Sequence, residues 1–172
     1  MNLEPTELDH RDMDVPFLRV ASRILSASGL DATVWDFRVG QPNVAAVPGP
    51  VLHSLEHMLA VYLKERSDSV LNVGVMGCRT GFYIITLGAV DFGKISRLVA
   101  QALEAIQAAT EVVLANPSEC GAAEYHSLAG AQEAARWLLS RRADWAETVR
   151  RTLHDQPRSR PKPSVRCPKG DA

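Results

Sequence analysis

The sequence has few cysteines and almost no net charge. Three cysteines among 172 residues cannot all pair within one chain, so we expect reduced thiols, as in a cytoplasmic protein. Lys and Arg number 19 against 20 Asp and Glu, which leaves a net charge of −1. This balance argues against nucleic acid or a membrane surface as the main partner.

The chain also lacks a long hydrophobic run. No apolar stretch reaches the roughly 18 residues that a membrane-spanning helix needs. The first seven residues are acidic and contain no apolar segment of the kind found in secretory signals. We therefore expect a cytoplasmic protein with no membrane partner.

The end of the chain differs in composition from the rest. Residues 155–172 contain four prolines among five basic residues and almost no side chain that could pack. This composition predicts a disordered basic tail. The remaining body, residues 1–154, has the length of one domain.

Apolar periodicity in the body alternates between strand-like and helix-like segments. Residues 34–39 place Trp35 and Phe37 on one face and Asp36 and Arg38 on the other. Further strands are predicted at 70–76 and 82–87, and helices at 51–66, 91–110, 128–139 and 144–153. The order predicts an α+β fold, a two-layer sandwich with helices packed on a mostly antiparallel sheet.

The strongest chemical signal is the segment His53-Ser54-Leu55-Glu56-His57. Residues i and i+4 share one face of a helix, so His53 and His57 could hold one metal ion. Glu56 would lie beside it, placed to move protons. The same H-x-x-E-H pattern occurs in inverted zinc peptidases.

A metal centre of this kind needs a third protein ligand. The sequence offers Cys120, Cys78, His126, His10 and several carboxylates. A set of two histidines and Cys120 would leave one coordination position open, as in catalytic sites.

Two further residues carry weaker signals. Cys78 lies in a turn next to Arg79, and a nearby cation favours the thiolate, which suits an acid/base group or a nucleophile. Arg38 could bind a carboxylate or a hydroxyl-rich ligand. A salt bridge with Asp36 is the simpler interpretation of Arg38.

Several short blocks follow one another in a characteristic order along residues 7–153. They are Glu7-Leu8-Asp9-His10, Trp35-Asp36-Phe37-Arg38, Gln41-Pro42-Asn43, the His53–His57 segment with Met58-Leu59-Ala60, Met76-Gly77-Cys78-Arg79-Thr80-Gly81-Phe82-Tyr83, Glu119-Cys120-Gly121, His126-Ser127-Leu128 and Gly130-Ala131. In content, order and spacing they resemble the S-ribosylhomocysteine lyase (LuxS) family.

The resemblance implies an activity and a cofactor. The family cleaves the thioether of S-ribosylhomocysteine to homocysteine and 4,5-dihydroxy-2,3-pentanedione, the precursor of the quorum-sensing signal autoinducer-2, within the activated methyl cycle. Its members are cytoplasmic homodimers with active sites at the interface. Each subunit holds one divalent metal, iron(II) in the native enzyme, which zinc or cobalt can replace.

The resemblance also implies roles for individual residues. By this resemblance, His53, His57 and Cys120 are expected to be the metal ligands, and Glu56 and Cys78 the general acid/base pair. His10 and Arg38 are expected, by the same resemblance, to contact the ribose end of the substrate.

The sequence departs from the family pattern at two positions that bear on substrate binding. Asn72 stands where the family has an aspartate, so the amino-acid end of the substrate would meet an amide and not a charge. Pro5 aligns with a family serine. The basic tail and the lack of charges in residues 44–50 are further differences. We expect a functional metal site with altered substrate affinity or preference.

Two other interpretations remain open from the sequence. A degenerate homologue could bind a sugar or a metal without catalysis, which the changes at Pro5 and Asn72 suggest. An inverted zinc peptidase would use the same helix, although such enzymes are longer and take a carboxylate as the distal ligand.

Overall fold

The fold is a four-stranded sheet with three α-helices on one face. The computed structural model describes residue 10 and residues 13–27 and 31–146. Its elements, in chain order, are β1 (Phe17–Ile24), β2 (Ala32–Arg38), α1 (Gly49–Arg66), β3 (Val70–Val75), β4 (Gly81–Leu87), α2 (Phe92–Ala108), α3 (Leu128–Ser140) and a short 3-10 helix (Arg142–Ala146). The strands pair antiparallel in the order β1-β2-β4-β3. The predicted α+β class and antiparallel sheet are confirmed.

The two central strands carry the core. Trp35 of β2 lies opposite Ile84 of β4, and Phe37 lies opposite Phe82. All four side chains are buried and belong to the core that the helices cover. Because side chains alternate along a strand, Asp36 and Arg38 point to the opposite face, as the alternation in the sequence predicts.

The helices begin and end close to their predicted bounds. The predicted core positions of α1, Leu52, Leu55, Leu59 and Leu63, are all buried. Asp91 caps α2 by accepting a hydrogen bond from the Lys94 backbone N–H at 2.7 Å, as its sequence position predicts. Helices α1, α2 and α3 together cover one face of the sheet.

Two elements differ from the sequence prediction. Strand β1 was not predicted, because it is an edge strand in which only Phe17 and Leu18 are buried and the outer half is exposed. A bulge at residues 20–22 further interrupts its alternation. Near the predicted last helix, the structure has the 3-10 helix, whose Trp145 packs edge-on against Phe37.

Part of the predicted domain organisation lies outside the described residues. This applies to residues 147–154 of the predicted last helix and to the tail at 155–172, which stays a prediction. Among the described helices, none combines the length and apolarity needed to cross a bilayer.

Candidate metal centre and thiol site

Helix α1 and the loop before α3 bring four metal-ligating side chains together. His53 and His57 lie one turn apart on α1, and Cys120 and His126 come from the loop. Their ligand atoms all lie within 4.8 Å of one another. We call these four residues the metal cluster.

The loop is held in place by hydrogen bonds around Asn116. The Asn116 side-chain carbonyl accepts from the Ser118 backbone N–H, and its backbone carbonyl accepts from the Cys120 N–H at 2.9 Å. At the far end of the loop, α3 packs so closely on α1 that a Cβ at Gly130 would collide with Val51. This close packing of α3 on α1 places the loop next to His53 and His57.

Backbone carbonyls fix the orientation of both α1 histidines. The Nδ1 of His53 lies 2.9 Å from the Tyr125 carbonyl oxygen, and the Nδ1 of His57 lies 3.1 Å from that of Val113. Because a carbonyl can only accept, each Nδ1 carries the proton and each Nε2 keeps its lone pair. Hydrogen-bonded imidazoles of this kind are typical of metal ligands.

The geometry of these ligands suits a divalent metal. The rings of His53 and His57 are perpendicular, with centroids 4.7 Å apart, so their two in-plane lone pairs can converge. The Cys120 sulfur lies 3.5 Å from the His53 Nε2. A tetrahedral zinc site with bonds of about 2.3 Å to sulfur and about 2.0–2.1 Å to nitrogen has a sulfur–nitrogen edge of about 3.6 Å.

His126 is the member of the metal cluster that sequence reasoning did not assign. It was one of several candidates for a third ligand, with no spacing argument to favour it. Its ring stacks on His53 at 4.0 Å, and its Nε2 lies 3.6 Å from the Cys120 sulfur. Burial, together with the neighbouring His53 and His57, lowers the pKa of His126, which favours the neutral ring.

Glu56 lies on α1 between the two histidines in sequence. Its side chain is half-buried, and no described residue forms a hydrogen bond or an ion pair with its carboxylate. A carboxylate that has no polar partner among the described residues, and that precedes His57 directly in the sequence, is available to accept or donate a proton.

Cys78 lies in a second, separate feature, the β3–β4 turn at residues 76–81, which we call the thiol turn. The turn requires a left-handed backbone at Arg79, with φ of 58°. Backbone hydrogen bonds join it to the β2–α1 loop, from Val39 and Gly40 to the Thr80 carbonyl and from Val47 to the Arg79 carbonyl. Cys78 is thereby held at an exposed position.

The thiol turn stabilises the thiolate of Cys78. The Thr80 hydroxyl lies 3.0 Å from the Cys78 sulfur and also accepts a hydrogen bond from Arg38 at 2.9 Å. Burial raises the pKa of Cys78, but hydrogen bonds from Thr80 and the positive charge of Arg38 outweigh it and leave the pKa below its usual value. The arrangement suits a group that gives and takes protons.

Arg38 is held by a buried ion pair with Asp36. Its Nε lies 3.1 Å from one Asp36 oxygen, and a terminal nitrogen lies 2.8 Å from the other, a bidentate geometry. The side chains are only 4% and 2% exposed. The salt bridge between Arg38 and Asp36 that the sequence suggested is therefore present, and it is buried. It directs the guanidinium group of Arg38 towards Thr80 and Cys78.

A cavity of about 460 Å³ lies beside the thiol turn. Its lining residues are His10, Pro42, Asn43, Val44, Ala46, Cys78 and Thr80. His10 and Cys78 thus share one cavity, whereas no member of the metal cluster lines it. Asn72 is exposed on the edge strand β3, opposite Ile85.

Fold and site together define a class of protein: a single α+β domain that could hold a divalent metal through histidine and thiolate ligands, with a second, activated thiol in a turn. The family model described as S-ribosylhomocysteinase (LuxS) matches residues 3–149. The chain belongs to this family.

Curated relatives agree with this assignment over most of the chain. A protein of Oceanobacillus iheyensis named S-ribosylhomocysteine lyase is 40% identical over 147 residues, which are 86% of this chain and 96% of that protein. A protein of the same name from Dichelobacter nodosus shows 40% identity with the same coverage. One from Helicobacter pylori is 37% identical over 86% of this chain and 95% of its own length.

Proposed function

We propose that the protein is a metal-dependent S-ribosylhomocysteine lyase that releases homocysteine and 4,5-dihydroxy-2,3-pentanedione. The observation that carries the proposal is the coexistence, in a chain of this family, of the metal cluster and an activated thiol at Cys78. Glu56 lies on the same helix as two of the cluster's histidines, one residue before His57. A domain that only bound a metal or a sugar would not need two groups prepared for proton transfer.

His53, His57 and Cys120 would hold the metal, iron(II) by the resemblance, with zinc or cobalt as replacements. Three protein ligands leave a position for substrate oxygen. When bound, a divalent metal supplies Lewis-acid stabilisation of the negative charge that enolisation builds on oxygen. The reaction changes no oxidation state overall, so it requires no redox role of the metal.

Glu56 and Cys78 would carry the protons. The sugar carbonyl must move two carbons along the chain before the carbon–sulfur bond is placed for β-elimination. Each move removes a proton from a carbon next to the carbonyl and returns one to the neighbouring carbon. In the last step, loss of a further proton breaks the carbon–sulfur bond, and the sulfur leaves as the homocysteine thiol after protonation.

The cavity beside Cys78 would receive the ribose end of the substrate. His10 lines this cavity with Cys78, which supports its predicted contact with the sugar. The buried guanidinium of Arg38 supports a role through Thr80 and Cys78, and a direct contact between Arg38 and the sugar stays a prediction. Asn72 would face the amino-acid end with an amide in place of a charge.

We further propose a homodimer in which the thiol turn of one protomer meets the metal cluster of the other. Among the described residues, no hydrogen bond or ion pair joins Cys78 to the metal cluster, and no member of the cluster lines the cavity beside Cys78. The sheet face away from the helices also carries apolar side chains, such as the 43% exposed Tyr83, without a covering layer among the described residues. A second copy on this face would cover it and complete the site.

The activity is tested with purified, iron(II)-loaded protein under anaerobic conditions. Incubation with S-ribosylhomocysteine should release homocysteine, which a thiol reagent detects, and a Glu56→Gln variant should release it far more slowly. Failure of the metal-loaded wild-type protein to release homocysteine would favour the non-catalytic interpretation. Use of the product for autoinducer-2 signalling and a cytoplasmic location stay predictions.

Subunit mixing tests the shared site. Glu56→Gln and Cys78→Ala subunits are each expected to be inactive alone. In a mixed dimer whose sites combine Glu56 of one chain with Cys78 of the other, one of the two sites is intact, so activity should return. No recovery in isolated mixed dimers would mean that each site takes both residues from one chain.

A further inference from the structure

The segment Gln41-Pro42-Asn43 follows β2 and borders the cavity beside Cys78, but it has no role in the proposed function. We propose that Gln41 is a positioning residue that holds His10 at this cavity through the backbone of Met13. It would thereby set the affinity for the ribose end of the substrate. The inference rests on the proposed function for the identity of that ligand.

The residues around the cavity come from three separate parts of the chain. His10 belongs to the segment before β1, and Cys78 and Thr80 belong to the thiol turn. The other lining residues lie in the loop between β2 and α1, in a stretch (residues 42–46) that we call the cavity loop: Pro42, Asn43, Val44 and Ala46. A sugar in the cavity meets His10 in a fixed place only if the segment before β1 is held against the cavity loop.

The side chain of Gln41 makes this connection. Its Nε2–H donates a hydrogen bond to the Met13 carbonyl oxygen at 2.7 Å, between residues 28 positions apart in sequence. Met13 is only 3% exposed and Gln41 is half-buried, so the bond is shielded from water, which strengthens it. Met13 is therefore anchored both by its buried side chain and by its carbonyl.

The anchor at Met13 restricts the position of His10. The two residues are three apart in sequence, and three residues of fully extended chain span at most about 11 Å. The side chain of His10 is exposed, so burial contributes little to holding it. Its place at the cavity therefore depends on a nearby fixed point, and the hydrogen bond from Gln41 supplies one.

The backbone of Gln41 holds the cavity loop without the help of its side chain. The Gln41 carbonyl oxygen accepts the Val44 N–H at 3.2 Å and the Ala45 N–H at 2.9 Å. The resulting tight turn places Asn43 in the left-handed region with φ of 60°, which asparagine tolerates better than most residues. A change of the Gln41 side chain should therefore release His10 and leave the cavity loop in place.

The first test measures order in ¹⁵N-labelled, zinc-loaded protein without substrate. Two variants remove the donor: Gln41→Met has no polar group, and Gln41→Glu keeps the shape of the amide but turns carboxylate oxygens towards the Met13 carbonyl. In both variants, we expect the order parameter of the His10 backbone N–H to fall below about 0.6. Those of Val44 and Ala45 should stay near about 0.85.

Two results of this test would overturn the proposal. An unchanged order parameter at His10 would show that the Gln41 side chain does not hold it. Equal losses at His10, Val44 and Ala45 would show that the substitutions disturb the whole cavity loop. Because the two variants differ in charge, a folding defect in one leaves the other to decide.

The second test measures the KM for S-ribosylhomocysteine in the iron(II)-loaded wild type, Gln41→Met, His10→Ala and the double variant. Gln41→Met should raise the KM about two- to tenfold, the range that the loss of one hydrogen bond gives, with a smaller change in kcat. Because Gln41 acts through His10, the double variant should have the KM of His10→Ala alone.

Multiplied effects on the KM in the double variant would overturn the proposal, because Gln41 would then act by a route other than His10. A lower kcat with an unchanged KM in Gln41→Met would also count against it. Absence of turnover in the wild-type protein would refute the proposed lyase function, and the order parameters, which need no substrate, would then decide whether Gln41 positions His10.

Discussion

The Thr80 hydroxyl should control the ionisation of Cys78. It accepts a hydrogen bond from Arg38, which has no acceptor group, so its own proton is free to point at the Cys78 sulfur 3.0 Å away. Thr80→Val removes this donor and keeps the shape of the side chain. Thr80→Ser keeps the hydroxyl and is the matched control.

The size of the effect follows from the hydrogen bond that is lost. A hydrogen bond to a charged group contributes about 1.5–3 kcal/mol, and the lower end applies because Cys78 is exposed. About 1.4 kcal/mol corresponds to a tenfold change in an equilibrium constant. Below the pKa of Cys78, the thiolate fraction of Thr80→Val should therefore fall about tenfold, and the midpoint of its titration should move to higher pH.

The assay is the pH dependence of iodoacetamide alkylation at Cys78, followed peptide by peptide with mass spectrometry. In the wild-type protein, the lowered pKa should keep the rate high to a pH below that of an ordinary cysteine. The acidic limb of any thiolate-dependent turnover should follow the same profile. Coincident profiles for Thr80→Val and the wild type, with Thr80→Val shown to be folded, would refute the role assigned to Thr80.

Three further predictions concern the site and the core. Glu56→Gln should lower turnover by about 10²–10⁴-fold while metal content measured by atomic absorption stays unchanged; a parallel loss of metal would contradict the proton-transfer role. Asn72→Asp should lower the KM for S-ribosylhomocysteine up to about fivefold, the range expected for an exposed charge pair worth about 0.2–1 kcal/mol, and an unchanged KM would remove Asn72 from the substrate site. Leu59→Ala, at a fully buried position of α1, should lower the free energy of unfolding in urea by about 2–5 kcal/mol, and a cost below 1 kcal/mol would contradict the packing.

The parts of the fold that could be predicted are those with strong periodicity. The strands containing Trp35 and Ile84 and the helix containing Leu59 bury one face each, so their apolar spacing is visible in the sequence. Strand β1 has no such pattern, since only two adjacent residues, Phe17 and Leu18, are buried. Its place at the sheet edge is fixed by pairing with β2, a tertiary contact that leaves no local signal.

The residues of the site also fall into two groups, those that sequence spacing predicts and those that it does not. His53 and His57 are recognisable because helical spacing alone brings them together. The loop residues Cys120 and His126 reach them only through the packing of α3 on α1, so their distances could not be deduced from spacing. The residues that follow His126 in the sequence, Ser127 and Leu128, gave no indication of a role for His126. The stacking of His126 on His53 is visible only in three dimensions.

The two described cysteines show how one chain can give the same functional group opposite behaviour. Cys120 is buried and surrounded by imidazoles and a backbone N–H, so its sulfur is placed to bind a metal and is shielded from reagents. Cys78 is exposed. The Thr80 hydroxyl and the Arg38 guanidinium stabilise its thiolate, and the sulfur stays accessible to solvent.

This difference predicts the order of chemical modification. In metal-loaded protein, iodoacetamide should alkylate Cys78 rapidly and leave Cys120 unmodified, whereas removal of the metal by a chelator should expose Cys120 to slower alkylation. Peptide mass spectrometry separates these sites from Cys167, which lies outside the described residues. If Cys120 reacted equally fast with and without metal, its sulfur would not be a ligand, and the centre would have to be built from the three histidines alone.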